Sequence, residues 1–151
     1  MSKRLYFEDF EPGERVEMGT YVFTEEEILR FAREFDPQPF HISPQAARAS
    51  IYQGIIASGW HTCSVIMRLM CDNYLLQSEA MGSPGVEEIR WLKPVRPGDV
   101  LRGVRTTLSA RASGSKPDRG MVEMRWEGIN QREELVVSMR SVGLFKRKPT
   151  G

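Results

Sequence analysis

The chemistry of thiols and imidazoles is scarce in this 151-residue chain, which has two cysteines and two histidines. Cys63 and Cys71 stand eight apart in one apolar stretch, with no CxxC and no neighbouring pair of histidines, so no zinc site is expected. On a helix that spacing separates them by about 12 Å, too far for a disulfide, and two reduced core thiols fit a cytoplasmic protein. An excess of one charge is also missing. Lys and Arg total 21 against 20 Asp and Glu, a net charge of +1, which argues against a surface built for nucleic acid. There is no uninterrupted hydrophobic run either. Residues 54 to 76 are the most apolar, yet His61, Arg68 and Asp72 break them, as in a core helix rather than a membrane span. The start, MSKRLYFEDFEPGE, has acidic residues where an export signal needs an apolar run. No repeat, low-complexity block or Pro/Gly-rich linker divides the chain, so residues 1–151 are expected to form one domain.

What is present reads as an α+β order. Residues 15 to 23 are rich in β-formers and predict a first strand. Thr24 precedes three glutamates, with Glu27 at the capping-box position, and a helix is expected from Glu25 to about Phe35. Its apolar face is Ile28, Phe31, Ala32 and Phe35, and Pro37 and Pro39 stop it. Ser43-Pro44 has the pattern of an N-cap and first helical position, which predicts a short second helix over QAARAS. Ser58-Gly59 starts a central helix over about 59–76, with Trp60, Cys63, Ser64, Met67, Met70, Cys71 and Tyr74 along one stripe. Val65, Ile66, Leu69 and Leu75 lie off that stripe, so this helix must be wrapped by other structure. Beyond residue 84 the period becomes two. Ile89 and Trp91, then Val122, Met124 and Trp126, alternate with charged residues, as in half-buried antiparallel strands. Pro97-Gly98 suits a type II turn leading into a strand from Val100, and hairpin loops are expected near 113–120 and 127–133, before a last long strand. The sum is a curved antiparallel sheet around one long helix.

One constellation has chemical potential. In FDPQPFH, Asp36 and His41 are five apart with two prolines between them, so the segment is expected to be a stiff loop and not a helix. Stiffness limits the entropy lost when two side chains must meet one water molecule. At neutral pH a free aspartate is ionised and a free histidine is mainly neutral, so such a pair can exchange protons with water. The residues alone also permit a plainer role, with Asp36 closing an Asx-type turn and His41 satisfying a core hydrogen bond. His61, beside Trp60, and the eight methionines are read as structural.

FDPQPFH, SPQAARAS, IIASGWHT and VEEIRWLKPVRPGDVL together resemble the MaoC-like dehydratases, the R-specific enoyl-CoA hydratase group of the hot-dog fold. The likeness runs over nearly the whole chain. The family motif is approximately Gly-Asp-x-Asn-Pro-x-His. Its two catalytic residues fall on Asp36 and His41, and Pro39 also matches. Phe35 stands where the family usually has Gly, and Gln38 where it usually has Asn. The family's thioester-binding backbone N–H falls on Gly59, preceded by Ser58. A helix start suits that role, since its first N–H groups are unpaired and its dipole end is positive.

The resemblance implies reversible hydration of a trans-2-enoyl-CoA to a (3R)-3-hydroxyacyl-CoA, with no metal and no cofactor beyond the coenzyme A of the substrate. It also implies a homodimer or dimer-based oligomer, with no membrane or nucleic-acid partner. Two rival readings are a hot-dog acyl-CoA thioesterase and a non-catalytic acyl-CoA binder in which Phe35 and Gln38 mark lost activity.

Overall fold

A computed structural model describes residues 3–150. Strand β1 (Arg15–Val22) leads into helix α1 (Glu25–Phe35), whose start is only half the expected capping box. The Thr24 hydroxyl accepts the Glu27 N–H at 3.2 Å, but the Glu27 carboxylate turns away to accept the Tyr21 hydroxyl. A tertiary partner outcompeted the local one. Ile28 and Ala32 are buried as the periodicity predicts, while Phe35 is 67% exposed at the end of the helix.

The stiff loop expected after α1 is a helical turn. Helix α2 (Pro39–Ile42) carries His41, with Pro39 at its first position, where the missing N–H costs no bond. Two prolines forbid a helix interior, not a helix start. Helix α3 (Pro44–Arg48) follows as predicted, its Ser43 hydroxyl accepting the Ala46 N–H at 3.1 Å. The long helix α4 (Gly59–Asn73) ends in a 3₁₀ turn at Leu75–Gln77, one of two such turns among the described residues, the other being Phe7–Asp9. No helix among the described residues is long and apolar enough to cross a membrane.

Strands β2 (Val86–Trp91), β3 (Val100–Ala112), β4 (Arg119–Ile129) and β5 (Leu135–Lys146) join β1 in one antiparallel sheet of order β1-β3-β4-β5-β2. Gly98 adopts φ +90°, and the Asp99 N–H closes the Pro97-Gly98 turn on the Arg96 carbonyl at 3.0 Å. That turn aims the chain without making a hairpin. β2 pairs with β5 on one edge of the sheet, and β3 lies between β1 and β4. Val122, Met124 and Trp126 are all buried, as their alternation predicts.

Helix α4 crosses the inner face of the sheet at close range because the sheet offers glycine there. A Cβ on Gly103 would lie 2.8 Å from Leu69 Cδ1, and one on Gly128 would lie 3.2 Å from Ile66 Cδ1. The face α4 buries is therefore His61, Thr62, Val65, Ile66, Leu69 and Met70. This differs from the stripe picked out by periodicity, of which Met70 and Tyr74 are buried but Trp60 and Met67 are 56% and 49% exposed. Both stripes are apolar, so sequence period could not choose between them. The choice was made by Gly103 and Gly128.

Ile66 is fully buried in this contact. Truncation to alanine removes its apolar transfer and leaves a cavity, so Ile66→Ala should lower unfolding free energy by about 2–5 kcal/mol in urea titrations. A loss below about 1 kcal/mol would show that α4 is not seated as described.

Candidate functional site

Two helix ends bring Asp36 and His41 together. Asp36 caps the C-terminus of α1, its N–H bonded to the Ala32 carbonyl at 2.8 Å, and His41 sits one turn into the chain's next reversal on α2. His41 Nε2 lies 3.3 Å from Asp36 Oδ2. On the other side of the ring, Nδ1 lies 2.7 Å from the carbonyl oxygen of Ile56. A carbonyl can only accept, so Nδ1 bears the hydrogen and the Nε2 of a neutral ring is left with its lone pair. A neutral His41 and an ionised Asp36 then present two acceptors side by side. A species that donates two hydrogens at once, such as water, can bridge them from the side.

The Asp36 carboxylate is held ready by its own donors. Gln38 Nε2 donates to Oδ1 at 2.8 Å, and the buried Ser58 hydroxyl donates to Oδ2 at 2.7 Å. Burial by itself pushes the Asp36 carboxyl up, but the Gln38 and Ser58 hydrogen bonds outweigh it and hold the group below the usual carboxylate value, an effect that His41 adds to only when its ring is protonated. Gln38, which departs from the family pattern in the sequence, thus supplies a bond to the very group the motif is built on. Phe35, the other departure, packs on Phe31 with ring centroids 5.2 Å apart and does not line the cavity.

Asp36, Gln38, His41 and Gly59 line one cavity of about 440 Å³. Pro39 does not line it; it starts the turn that aims His41. Ser58 serves from beneath, capping α4 by accepting the Trp60 N–H at 3.3 Å while it holds Asp36. The Gly59 N–H is one of the unpaired donors at the start of α4 and has no acceptor among the described residues. Glycine is needed there because of a neighbouring ring. The Trp91 indole fills the space beside it, donating to the Gly59 carbonyl at 3.0 Å, and a Cβ on residue 59 would fall 2.5 Å from the ring.

Sequence reasoning missed three contributors. The Ile56 carbonyl that sets the His41 tautomer is backbone and leaves no signal in residue type. Trp91, read as a half-buried strand residue, is 47% exposed at the end of β2 and forms a wall of the cavity. Lys93 is the one lysine or arginine side chain lining it among the described residues. His61 lies outside the lining and stacks on Phe31 at 4.9 Å, with burial holding its imidazole below the usual value. No group of three metal-ligating side chains occurs among the described residues.

The family model described as MaoC like domain matches residues 9–125. The crystal structure of a MaoC-like dehydratase from Rhodospirillum rubrum superposes with a TM-score of 0.90 at 38% identity, covering 97% of this chain and 99% of that one. A mesaconyl-CoA hydratase of Cereibacter sphaeroides is 42% identical over 69 residues, which is 45% of this chain and 20% of that enzyme. The match thus takes in only a fifth of the enzyme's length. A Mycobacterium tuberculosis protein described as a double hot-dog fold aligns at 16% identity and TM-score 0.78, over 98% of this chain and 46% of that one, and shows the fold.

Ser58→Ala removes one of the donors that keep Asp36 ionised, so the Asp36 pKa should rise. Because the native value lies below the ordinary one, the ionised group stabilises the fold above the ordinary carboxylate range. That contribution is lost as pH falls through the native pKa, and in the variant the loss should move to higher pH. Carbon-detected NMR titration of the Asp36 carboxyl reads this directly, alongside about 1 kcal/mol of lost helix capping in urea. An unmoved Asp36 titration would contradict the assignment.

Proposed function

Because the chain belongs to the MaoC-like domain family of hot-dog dehydratases and hydratases, we propose that it adds water reversibly to a trans-2-enoyl-CoA, giving a (3R)-3-hydroxyacyl-CoA. The observation that carries this reading is the pair of acceptors, Asp36 Oδ2 and His41 Nε2, 3.3 Å apart in a cavity that Gly59, the first residue of α4, also lines. Water held by both has its oxygen free to meet C3 of the enoyl group. His41 Nε2 takes one proton as the C3–O bond forms, and the electron pair of the double bond moves through C2 toward the thioester oxygen. The Gly59 N–H polarises that oxygen, an interaction of the kind that lowers a barrier by about 3 kcal/mol. The proton gained by His41 is then available to C2, and the sum is H and OH across the double bond. Asp36, held ionised, orients the water and offsets the imidazolium charge.

Coenzyme A enters as part of the substrate, and Lys93, which lines the cavity and pairs with Glu134 at 3.5 Å, is the basic side chain we assign to an anionic part of it. The expected homodimer has a natural site at the outer edge of β2. Val86, Trp91 and Leu92 are exposed there, and the strand pairs on one side only.

Loss of enoyl-thioester absorbance with crotonyl-CoA and longer or branched enoyl-CoAs tests the activity, with free thiol scored in parallel. Hydration is expected without thiol release; thiol release without enoyl loss would replace the hydratase by a thioesterase, and neither signal would leave a binder. Asp36→Asn should lower kcat/KM about 10²- to 10⁴-fold, with the urea midpoint falling only by what the lost carboxylate charge contributes to the fold. Unchanged turnover in that variant would remove the mechanism.

A further inference from the structure

A second cavity, of about 410 Å³, lies beside the catalytic one and has no part in the chemistry above. It opens between the flank of α4 and the inner faces of β4 and β5, lined by side chains such as Met67, Met70, Val122, Met124, Met139 and Phe145. No charged side chain lines it among the described residues. Trp60 is the one residue that lines both cavities, and it follows Gly59 directly.

The Trp60 indole is braced where it stands. Trp91 meets it edge to face, with ring centroids 5.2 Å apart, and Trp91 is itself fixed to the first turn of α4 by its bond to the Gly59 carbonyl at 3.0 Å. The absent side chain at Gly59 is what lets the Trp91 ring settle this close. Trp60, braced by Trp91, therefore stands between the cavity with the water-binding pair and an apolar chamber beyond it.

We propose that Trp60 is the chain-length determinant of this protein: its indole walls the chamber off, so that the native site takes short enoyl thioesters and withholds space from longer aliphatic tails. The proposal rests on the hydration reading for its substrate. A tail growing from a thioester at Gly59 meets Trp60 first, and the space behind Trp60 is lined by methionine, valine and aromatic carbon, which favours hydrocarbon over any charged or hydrated group. Each methylene passing from water into such a place raises affinity about fourfold. Removal of the wall therefore should change selectivity steeply with chain length.

The test compares the native protein with Trp60→Phe and Trp60→Ala on trans-2-enoyl-CoAs of four, six, eight and ten carbons. The native ratio of kcat/KM for ten carbons over four is expected to be about 0.1 or lower. In Trp60→Ala that ratio should rise at least about tenfold, with Trp60→Phe between the two. Equal native turnover of ten- and four-carbon substrates, or a ratio unmoved in Trp60→Ala, would overturn the proposal. Calorimetric binding of saturated butyryl-CoA and decanoyl-CoA to the same three proteins gives a readout that needs no catalysis. Selective gain of decanoyl-CoA binding by Trp60→Ala without hydration of any enoyl-CoA would sink the hydratase reading and keep the wall. Hydration with an unmoved chain-length profile would sink the wall alone. Trp60 is more than half exposed, so its loss is not expected to unfold the chain.

Discussion

The seat of α4 on the sheet is the constraint from which the rest follows. Gly103 and Gly128 let the helix settle against the strands, and that fixes where its first residues emerge. At that point the fully buried Ser58 hydroxyl both accepts from the Trp60 N–H and donates to Asp36, so one oxygen ties the helix start to the carboxylate. The Ile56 carbonyl, two residues earlier, sets the hydrogen on His41. A displaced α4 would thus disturb the carboxylate, the imidazole and the helix N–H together.

Much of this was legible in the residues, and the misses have physical causes. Where one interaction dominated, pattern sufficed: the period of two through Val122, Met124 and Trp126, the Ser43-Pro44 start of α3, and the glycine-bearing turn at Gly98. Where two interactions of similar strength competed, pattern failed. Glu27 had a local N–H and a distant Tyr21 hydroxyl to choose from and took the distant one. The two apolar stripes of α4 were equivalent until a sheet with glycine at residues 103 and 128 was placed beneath them. The turn of α2 is hidden in the sequence because proline reads as a breaker, although at a first helical position it is an initiator.

The candidate site divides the same way. Asp36, His41 and Gly59 were found through family likeness laid on spacing, and the fold brings all three to one cavity. Gln38 was marked as a departure whose effect spacing could not give; its amide reaches the Asp36 carboxylate. Neither the Ile56 carbonyl nor the place of Trp91 had any signal in the chain, since one is backbone and the other depends on a residue 32 positions away in sequence. Electrostatically the site works against its own burial. Burial disfavours the carboxylate charge, and donors from two different elements more than offset it.

Trp91 is the last residue of an edge strand and is also a wall of the cavity, tied to the first turn of α4. Natural variation at that strand is therefore answerable to two demands at once. A lineage that altered the outer edge of β2 to suit a new neighbour would carry the change, through one indole, into the choice of what the cavity admits. Quaternary drift and substrate drift would be inherited together.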